Sequence, residues 1–247
     1  MSSAIPHIRE TGINSVRIWY RIRDWNSRTP DTWFINRAVE YKQAGFQVML
    51  CILADRSTDA NTARGFFQML ANQQTLVRSV DLWQIGNEVN HAPFWSDTME
   101  NYVNNMLKPA HDVLRGIGAK IVGAGPTGNT QDAYRLRDLG YLNYVDYAAF
   151  HPYAGTADEV ISKAQDAARA FAGKPLIITE WNITNGYNAN SYDRDIDRVR
   201  LALKQVAVAQ FYFSMINFNA SNGIFRDAFN FQRNDEIFNE VRSWQFE

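Results

Sequence analysis

The stretch Leu82–Glu88, with the sequence LWQIGNE, is an apolar run that ends in a glycine and then in a carboxylate. A short apolar run bounded by a turn residue is typical of a parallel strand buried on both faces. The stretch Leu176–Asn182, with the sequence LIITEWN, repeats the pattern further along the chain. Each stretch therefore places a glutamate, Glu88 or Glu180, at the point where a buried strand ends.

Outward from these two stretches, short apolar runs alternate with longer amphipathic segments along the whole chain. This alternation predicts parallel strands with helices packed outside them, an α/β fold of the TIM-type (β/α) barrel kind. The predicted strands are Ser15–Tyr20, Phe46–Leu53, Leu82–Gly86, Lys120–Gly123, Tyr144–Phe150, Pro175–Thr179 and Phe211–Phe218. The predicted helices are Ile5–Thr11, Pro30–Ala44, Asn61–Leu76, Thr98–Gly116, Gln131–Leu139, Ala157–Phe171, Asp193–Ala209 and Asp235–Gln245, with a bend at Pro109.

Length and composition are consistent with one barrel domain over residues 1–247. The net charge of -1 gives no electrostatic footprint for nucleic acid or for an anionic membrane, so a neutral substrate is favoured. No stretch approaches the ~18 apolar residues of a membrane span, and the N-terminus lacks the pattern of a signal peptide. The chain as written is expected to be cytoplasmic, or secreted after removal of a signal.

The two glutamates suit the cleavage of a glycosidic bond. A retaining mechanism needs one carboxylic acid to protonate the leaving oxygen and one carboxylate to attack the anomeric carbon, about 5–5.5 Å apart. Active sites of barrel enzymes lie at the C-terminal ends of the strands, where both glutamates are predicted to be. One cysteine, Cys51, lies inside an apolar run and is interpreted as a buried strand residue, and no spacing of metal ligands is evident.

The chain resembles the retaining glycoside hydrolases of clan A, which are (β/α)8 barrels. The resemblance rests on Asn87-Glu88, Glu180, His151-Pro152-Tyr153 and Arg17, and it runs from about Gly12 to the last strand. It implies that Glu88 is the acid/base, that Glu180 is the nucleophile, and that Asn87 binds the sugar 2-hydroxyl. It also implies substrate-binding or supporting roles for Arg17, His151 and Tyr153, and it implies no cofactor.

Several tryptophans are predicted near the barrel mouth, where indole rings commonly stack on the apolar faces of sugars. Trp95 and Trp181 are the preferred candidates for substrate binding, because each is adjacent to a catalytic motif. Departures from the family pattern are the absence of a tryptophan in Phe211–Phe218 and a valine, Val89, where cellulase-like members have proline.

Only seven strands can be read from the sequence, because the chain opens on a helix where family members have a strand. A barrel short of one strand has two exposed edges with unpaired backbone groups. The edges would meet in a strained barrel, be covered by a neighbouring chain in an oligomer, or stay open. We expect a distorted seven-stranded barrel with a weak seam between Ser15–Tyr20 and Phe211–Phe218, and a site that lies away from that seam.

The leading functional hypothesis is a glycosidase that cleaves β-glycosidic bonds of a neutral oligo- or polysaccharide. An arabinofuranosidase-like member of the same clan is an alternative that differs only in its substrate. A carbohydrate-binding protein on a degenerate barrel is an alternative of a different class, suggested by the absent strand. The presence of the complete set Arg17, Asn87, Glu88, His151, Tyr153 and Glu180 favours the enzyme.

Overall fold

Parallel strands and outer helices alternate along the chain in the computed structural model, which describes residues 4–184, 192–213, 224 and 233–244. The strands are β1 (Ser15–Ile22), β2 (Gln47–Ala54), β3 (Leu82–Ile85), β4 (Ile121–Gly123), β5 (Ala148–Phe150), β6 (Leu176–Trp181) and β7 (Ala209–Tyr212). The α-helices are α1 (Ala4–Glu10), α2 (Thr32–Gln43), α3 (Ala60–Ala71), α4 (Gln74–Ser79), α5 (Met99–Tyr102), α6 (Lys108–Leu114), α7 (Thr130–Asp138), α8 (Ala157–Ala170), α9 (Tyr192–Leu203) and α10 (Asp235–Ser243).

The strands pair in sequence order, and every pair is parallel. One ladder joins β1, β2, β3 and β4, and a second joins β5, β6 and β7. Bridges from Val122 to Tyr147 and from Thr127 to His151 connect the two ladders. Met49, Val122, Ala149 and Ile177 fill the interior, while a larger apolar cluster packs the helices on the outside. The prediction of an α/β barrel of parallel strands is confirmed.

Two predicted helices differ in detail, one because it is divided in two and the other because it has a π-turn next to its predicted bend at Pro109. The predicted helix Asn61–Leu76 ends at the C-cap Asn72, and α4 then starts as a separate helix. The predicted helix Thr98–Gly116 contains a π-turn at Val103–Leu107, which ends two residues before Pro109. A wider turn at this point accommodates a proline, which has no backbone N–H to donate and which crowds the preceding turn. No described helix has the length and the apolar content needed to cross a bilayer.

The last strand differs most from its predicted bounds. The helix Asp193–Ala209 was expected to run directly into the strand Phe211–Phe218, but α9 ends at Leu203 and β7 already begins at Ala209. The part of the predicted strand beyond Phe213 lies outside the described residues. The strand predicted at Tyr144–Phe150 is likewise shorter, because residues Tyr141–Tyr144 form a turn of 3-10 helix before β5.

The described strands leave a seam between β1 and β7. No ladder joins these two strands among the described residues. As whole residues, Ser15, Val16, Arg17 and Ile18 are only half-buried, as is all of β7, although the side chain of Arg17 is 6% exposed; nearly all of β2 is buried. Two cavities of about 460 Å³ each open along this seam, one toward the base of β1 and the other toward Glu180. An oligomer formed through the seam stays a prediction.

The seam predicts an alternating pattern of amide exchange in β1. Asn14 accepts a hydrogen bond from the Gln47 amide, so every second residue of β1 directs its backbone groups to β2. The backbone groups of the residues between them, Arg17 and Trp19, therefore face the seam. We expect the amides of Arg17 and Trp19 to exchange faster than those of Val16 and Ile18 in residue-resolved hydrogen exchange.

Trp83 and Gln84 are the internal comparison, because β3 has a neighbour on each side and both amides should exchange slowly. Equal protection at odd and even positions of β1 would show that the seam is closed by another strand. Uniform protection across β1, β3 and β7 would have the same meaning.

Candidate active site

Glu180 points into the barrel because β6 is irregular at this residue. Ile178 is the partner of Gln210 and Trp181 is the partner of Tyr212, so β6 has one more residue than β7 over this interval. Such a bulge reverses the side-chain alternation beyond it. Thr179 and Glu180 consequently both face the interior, and Trp181 faces outward.

Glu88 is held by an unusual backbone conformation at the end of β3. Its φ is 39°, and it is the one non-glycine residue with a positive φ in the described chain. A left-handed conformation costs an ordinary residue about 1–2 kcal/mol, and such strain is concentrated at functional sites. Gly86 is required nearby, because its φ is +86° and a Cβ there would lie 2.9 Å from the ring of Tyr102. The Glu88 amide donates to the carbonyl of Gly125, which fixes the turn.

The two carboxylates meet at the C-terminal ends of the strands, as the sequence predicts. One oxygen of Glu88, one of Glu180 and one ring nitrogen of His151 all lie within 4.8 Å of one another. Glu88 is 7% exposed and Glu180 is 5% exposed, so both are accessible yet mostly desolvated. Two carboxylates this close repel each other when both are charged, so a nearby cation or hydrogen-bond donor is needed to hold either one as an anion.

Arg17 is the cation that supports this pair. Its Nη1 donates to Glu180 Oε1 at 2.5 Å, its Nη2 donates to Asn87 Oδ1 at 2.6 Å, and its Nε donates to Gln84 Oε1 at 2.6 Å. The side chain is 6% exposed. Arg17 thus reaches from β1 to both catalytic motifs, and it joins Asn87 and Glu180 into one cluster.

The surroundings of Glu180 favour its charged form. Burial alone would raise its pKa, but the charge that His151 carries when it is protonated, the charge of Arg17, and the hydrogen bonds from Tyr153 and Arg17 oppose this effect, and the net pKa is lowered. The Tyr153 hydroxyl donates to Oε2 at 2.8 Å. Burial and the neighbouring carboxylates raise the pKa of Tyr153, so the phenol keeps the proton that it donates. The surroundings of Glu180 therefore stabilise its ionised form.

Glu88 has a different set of neighbours. His151, which is fully buried, places Nδ1 3.1 Å from Glu88 Oε1. His91, which is largely exposed, places its Nδ1 3.5 Å from Oε2. No arginine or lysine is paired with Glu88 among the described residues, so the strongest stabilisation of negative charge acts on Glu180.

The structure does not bring Trp95 and Trp181 to the substrate side of the site. Trp181 is 0% exposed, because the bulge in β6 turns it outward against Tyr212 and Trp244. Trp95 is 3% exposed, and its Nε1 donates to the carbonyl of Thr98. Rings enclosed in this way pack the protein and have no free face for a sugar, so the prediction that both bind substrate is corrected.

Two buried polar residues belong to the site although the sequence reading did not single them out. Gln84 accepts from Arg17, and its Nε2 donates to Thr179 Oγ1 at 3.2 Å and to the Gly123 carbonyl. Thr179 Oγ1 lies 2.8 Å from His151 Nε2. A signal was present in the sequence, since Gln84 and Thr179 are polar residues inside otherwise apolar strands, where burial requires a partner.

The triad Glu88, His151 and Glu180 also has the spacing of a metal site. However, Arg17 already places a positive charge 2.5 Å from Glu180, and Tyr153 occupies its second oxygen. These contacts do the charge neutralisation that a divalent ion would otherwise supply. The arrangement therefore fits proton transfer and nucleophilic attack better than metal ligation.

Residues 136–233 match the family model described as "Glycosyl hydrolase catalytic core". This segment contains His151, Tyr153 and Glu180. A search of curated proteins finds no significant match. The family match bears out the expectation that the chain is an enzyme of the glycoside hydrolase class.

Solved structures of the same fold include several glycoside hydrolases. A fungal β-1,4-galactanase is 16% identical with a TM-score of 0.68, over 95% of this chain and 89% of that one. An endo-β-1,3-glucanase from Sorangium cellulosum is 16% identical with a TM-score of 0.64, over 91% and 89% of the two chains. The mannanase catalytic domain from Streptomyces sp. SirexAA-E is 16% identical with a TM-score of 0.59, over 97% and 80%. The resemblance to clan A barrels is thereby confirmed at the level of the fold.

The contacts of Glu180 predict how its ionisation responds to mutation. Tyr153→Phe removes one hydrogen bond to the charged carboxylate, so the pKa of Glu180 should rise by about 1 unit, since such a bond contributes about 1.5 kcal/mol. The measurement is a carbon-13 NMR titration of glutamate carboxyl groups, with Glu180→Gln to assign the resonance.

Tyr134→Phe is the matched control, because that hydroxyl bonds Asp166 on the outside of the barrel. It should leave the Glu180 titration unchanged. An unchanged titration in Tyr153→Phe as well would mean that Tyr153 does not support the anion.

Proposed function

We propose that this chain is a retaining glycoside hydrolase that cleaves β-glycosidic bonds of a neutral oligo- or polysaccharide by double displacement. Glu180 is the nucleophile and Glu88 is the acid/base. The observation that carries the proposal is the pair itself, two carboxylates with oxygens within 4.8 Å at the mouth of a parallel barrel. This proximity supports a retaining pair, whose carboxyl groups lie about 5–5.5 Å apart, over an inverting pair, whose groups lie about 6.5–9.5 Å apart with a water between them.

The assignment of roles follows from the neighbours of each glutamate. The nucleophile has to be ionised, and Glu180 has a lowered pKa next to Arg17 and Tyr153. The acid has to carry a proton at the working pH, and Glu88 lies beside a histidine and close to the charge of Glu180. No arginine or lysine is paired with Glu88 among the described residues, so we assign it the role of acid/base.

The first displacement forms a covalent glycosyl-enzyme. The carboxylate of Glu180 attacks the anomeric carbon and forms a C–O bond, while the bond to the leaving oxygen breaks. Glu88 transfers its proton to that oxygen, which leaves as a neutral hydroxyl group. Tyr153 and Arg17 hold the nucleophile in place during the attack, and we assign to Asn87, which accepts from Arg17, the binding of the sugar 2-hydroxyl.

The second displacement releases the sugar. Glu88, now ionised, removes a proton from a water molecule as the water oxygen attacks the anomeric carbon. The bond to Glu180 breaks, and the carboxylate of Glu180 and the protonated Glu88 are regenerated. Two inversions at one carbon give net retention of configuration.

The substrate class rests on the named relatives and on the charge of the site. The structural neighbours include a β-1,4-galactanase, an endo-β-1,3-glucanase and a mannanase, which supports a β-linked polysaccharide. Arg17 directs its guanidinium to Glu180, Gln84 and Asn87, so it is not available to bind an acidic sugar. A neutral β-glycan therefore suits the site.

Glu180→Gln should abolish turnover of natural and activated β-glycosides alike, because an amide cannot form the glycosyl-enzyme. The measurement is the rate of reducing-sugar release from β-galactan, β-glucan and β-mannan, and of phenol release from aryl β-glycosides. Glu100→Gln, at an exposed position on α5, is the matched control and should keep full activity. Retained turnover in Glu180→Gln would remove the proposed nucleophile.

Glu88→Ala should lower activity on natural substrates by about 10²–10⁴-fold, the usual contribution of general acid–base catalysis. An aryl glycoside with a good leaving group needs no protonation and should be affected less in the first step. Azide should then restore turnover by attacking the glycosyl-enzyme and should yield the β-glycosyl azide. Equal losses on both substrate types without azide rescue would contradict the role of Glu88.

The anomeric configuration of the product distinguishes a retaining enzyme from an inverting one. Proton NMR of the first-formed product should show the β-anomer when hydrolysis starts from a β-glycoside. The α-anomer would indicate inversion. Binding of oligosaccharides without turnover would favour the non-catalytic carbohydrate-binding alternative.

A further inference from the structure

Below the two glutamates, four side chains form a continuous hydrogen-bonded chain from the nucleophile to the acid/base. It runs from Glu180 through Arg17, Gln84, Thr179 and His151 to Glu88. Gln84, Thr179 and His151 are each 0% exposed. Since water has little access to these groups, each one depends on its protein neighbours for its hydrogen bonds.

The orientation of the Gln84 amide is determined at both ends. Arg17 Nε can only donate, so the group that faces it at 2.6 Å must be the Gln84 carbonyl oxygen. The amide nitrogen then faces two acceptors, the Gly123 carbonyl and Thr179 Oγ1. A flipped amide would set two donors against each other at Arg17 and two acceptors at Gly123.

This orientation leaves the Thr179 proton with a defined direction. Its oxygen accepts from Gln84, and the nearest acceptor for its own proton is His151 Nε2 at 2.8 Å. A neutral histidine that accepts at Nε2 carries its proton on Nδ1. Nδ1 lies 3.1 Å from Glu88 Oε1, so it donates to that oxygen.

We propose that Gln84 and Thr179 are positioning residues that fix the Nδ1–H tautomer of His151 and thereby keep the acid proton of Glu88 directed to the substrate. The proposal rests on the assigned role of Glu88 as acid/base. An oxygen that accepts from His151 cannot at the same time give its proton to that histidine, so the acid proton resides on Oε2. The opposite tautomer would offer a bare Nδ1, which would accept the Glu88 proton and turn it away from the leaving oxygen.

The packing around His151 supports a fixed ring. A Cβ on Gly125 would lie 2.7 Å from His151 Nε2 and 3.1 Å from Thr179 Oγ1, so the backbone of this residue closes the space on that side. Turning the ring over about χ2 would put ring carbons where Nδ1 and Nε2 now lie, and the contacts with Glu88 and Thr179 would both be lost. With the ring orientation fixed, the hydroxyl of Thr179 determines which ring nitrogen of neutral His151 carries the proton.

The direct test is nitrogen-15 NMR of the histidine side chains, titrated upward until His151 is neutral. The chain has 4 histidines, and a His151→Gln variant assigns the resonances. The wild type should show the Nδ1–H tautomer. Thr179→Val, which keeps the shape and removes the hydroxyl, should shift the population toward Nε2–H, and Thr179→Ser should restore the wild-type pattern.

The kinetic test compares substrates with poor and good leaving groups. Thr179→Val should lower kcat on a natural β-glycan by about 10–100-fold, the usual effect of removing a group that orients a functional histidine. It should have a smaller effect on KM and on the first step with an activated aryl glycoside. Thr179→Ser should stay within about 3-fold of wild type, and Gln84→Met should behave like Thr179→Val.

Thr11→Val is the matched control, because Thr11 is also buried and its hydroxyl bonds a carbonyl at the end of α1. It should change neither the tautomer nor the ratio of activities. An Nε2–H tautomer in the wild type would overturn the proposal, as would the same tautomer in wild type and Thr179→Val. If Thr179→Val does not fold, the tautomer of His151 in the wild-type spectrum still tests the proposal. The spectrum needs no turnover, so a chain without glycosidase activity would refute the proposed function and leave the tautomer result intact.

Discussion

The structure of the site depends on one buried cation, the guanidinium of Arg17. A buried charge is costly unless its hydrogen bonds are satisfied, and Arg17 satisfies them with Glu180, Asn87 and Gln84. These partners belong to β3, β6 and the turn after β3. Cys51 of β2, whose thiol pKa burial raises to about 11, fills the remaining side. One side chain thus fixes where both catalytic motifs stand relative to each other.

Both glutamates are positioned by departures from regular structure. If side chains alternated regularly along β6, Glu180 would point out of the barrel, but the bulge in β6 directs it into the barrel. A relaxed backbone would not hold Glu88 at a φ of 39°. Neither feature stabilises the fold, since each interrupts hydrogen bonding or adds strain. Their occurrence at the two carboxylates is what a site selected for geometry would show.

These departures also decide what could be predicted from the sequence. Apolar runs bounded by turn residues identified the strands, and the ends of two such runs located Glu88 and Glu180. The sequence predicts a substrate-binding Trp181 only because this residue follows Glu180, whereas the bulge in β6 directs its ring outward to Trp244. A bulge depends on pairing with β7, which a single sequence does not display. The sequence predicts a bend at Pro109, but neither the π-turn before it nor the helix break at Asn72, since caps and π-turns are set by local packing.

The seam has a closer relation to the site than the sequence reading expected. Glu180 stands on β6, but its partner Arg17 stands on β1, and β1 is one edge of the seam. The Arg17–Glu180 pair therefore connects β1 to β6 across the region where the described strands share no backbone ladder. Water that entered there would screen the pair and weaken the support of the nucleophile, because charge interactions fall as the local dielectric rises. An open seam would thus affect the chemistry as well as the stability, because Arg17 and Glu180, although only 6% and 7% exposed, both line the cavity along the seam.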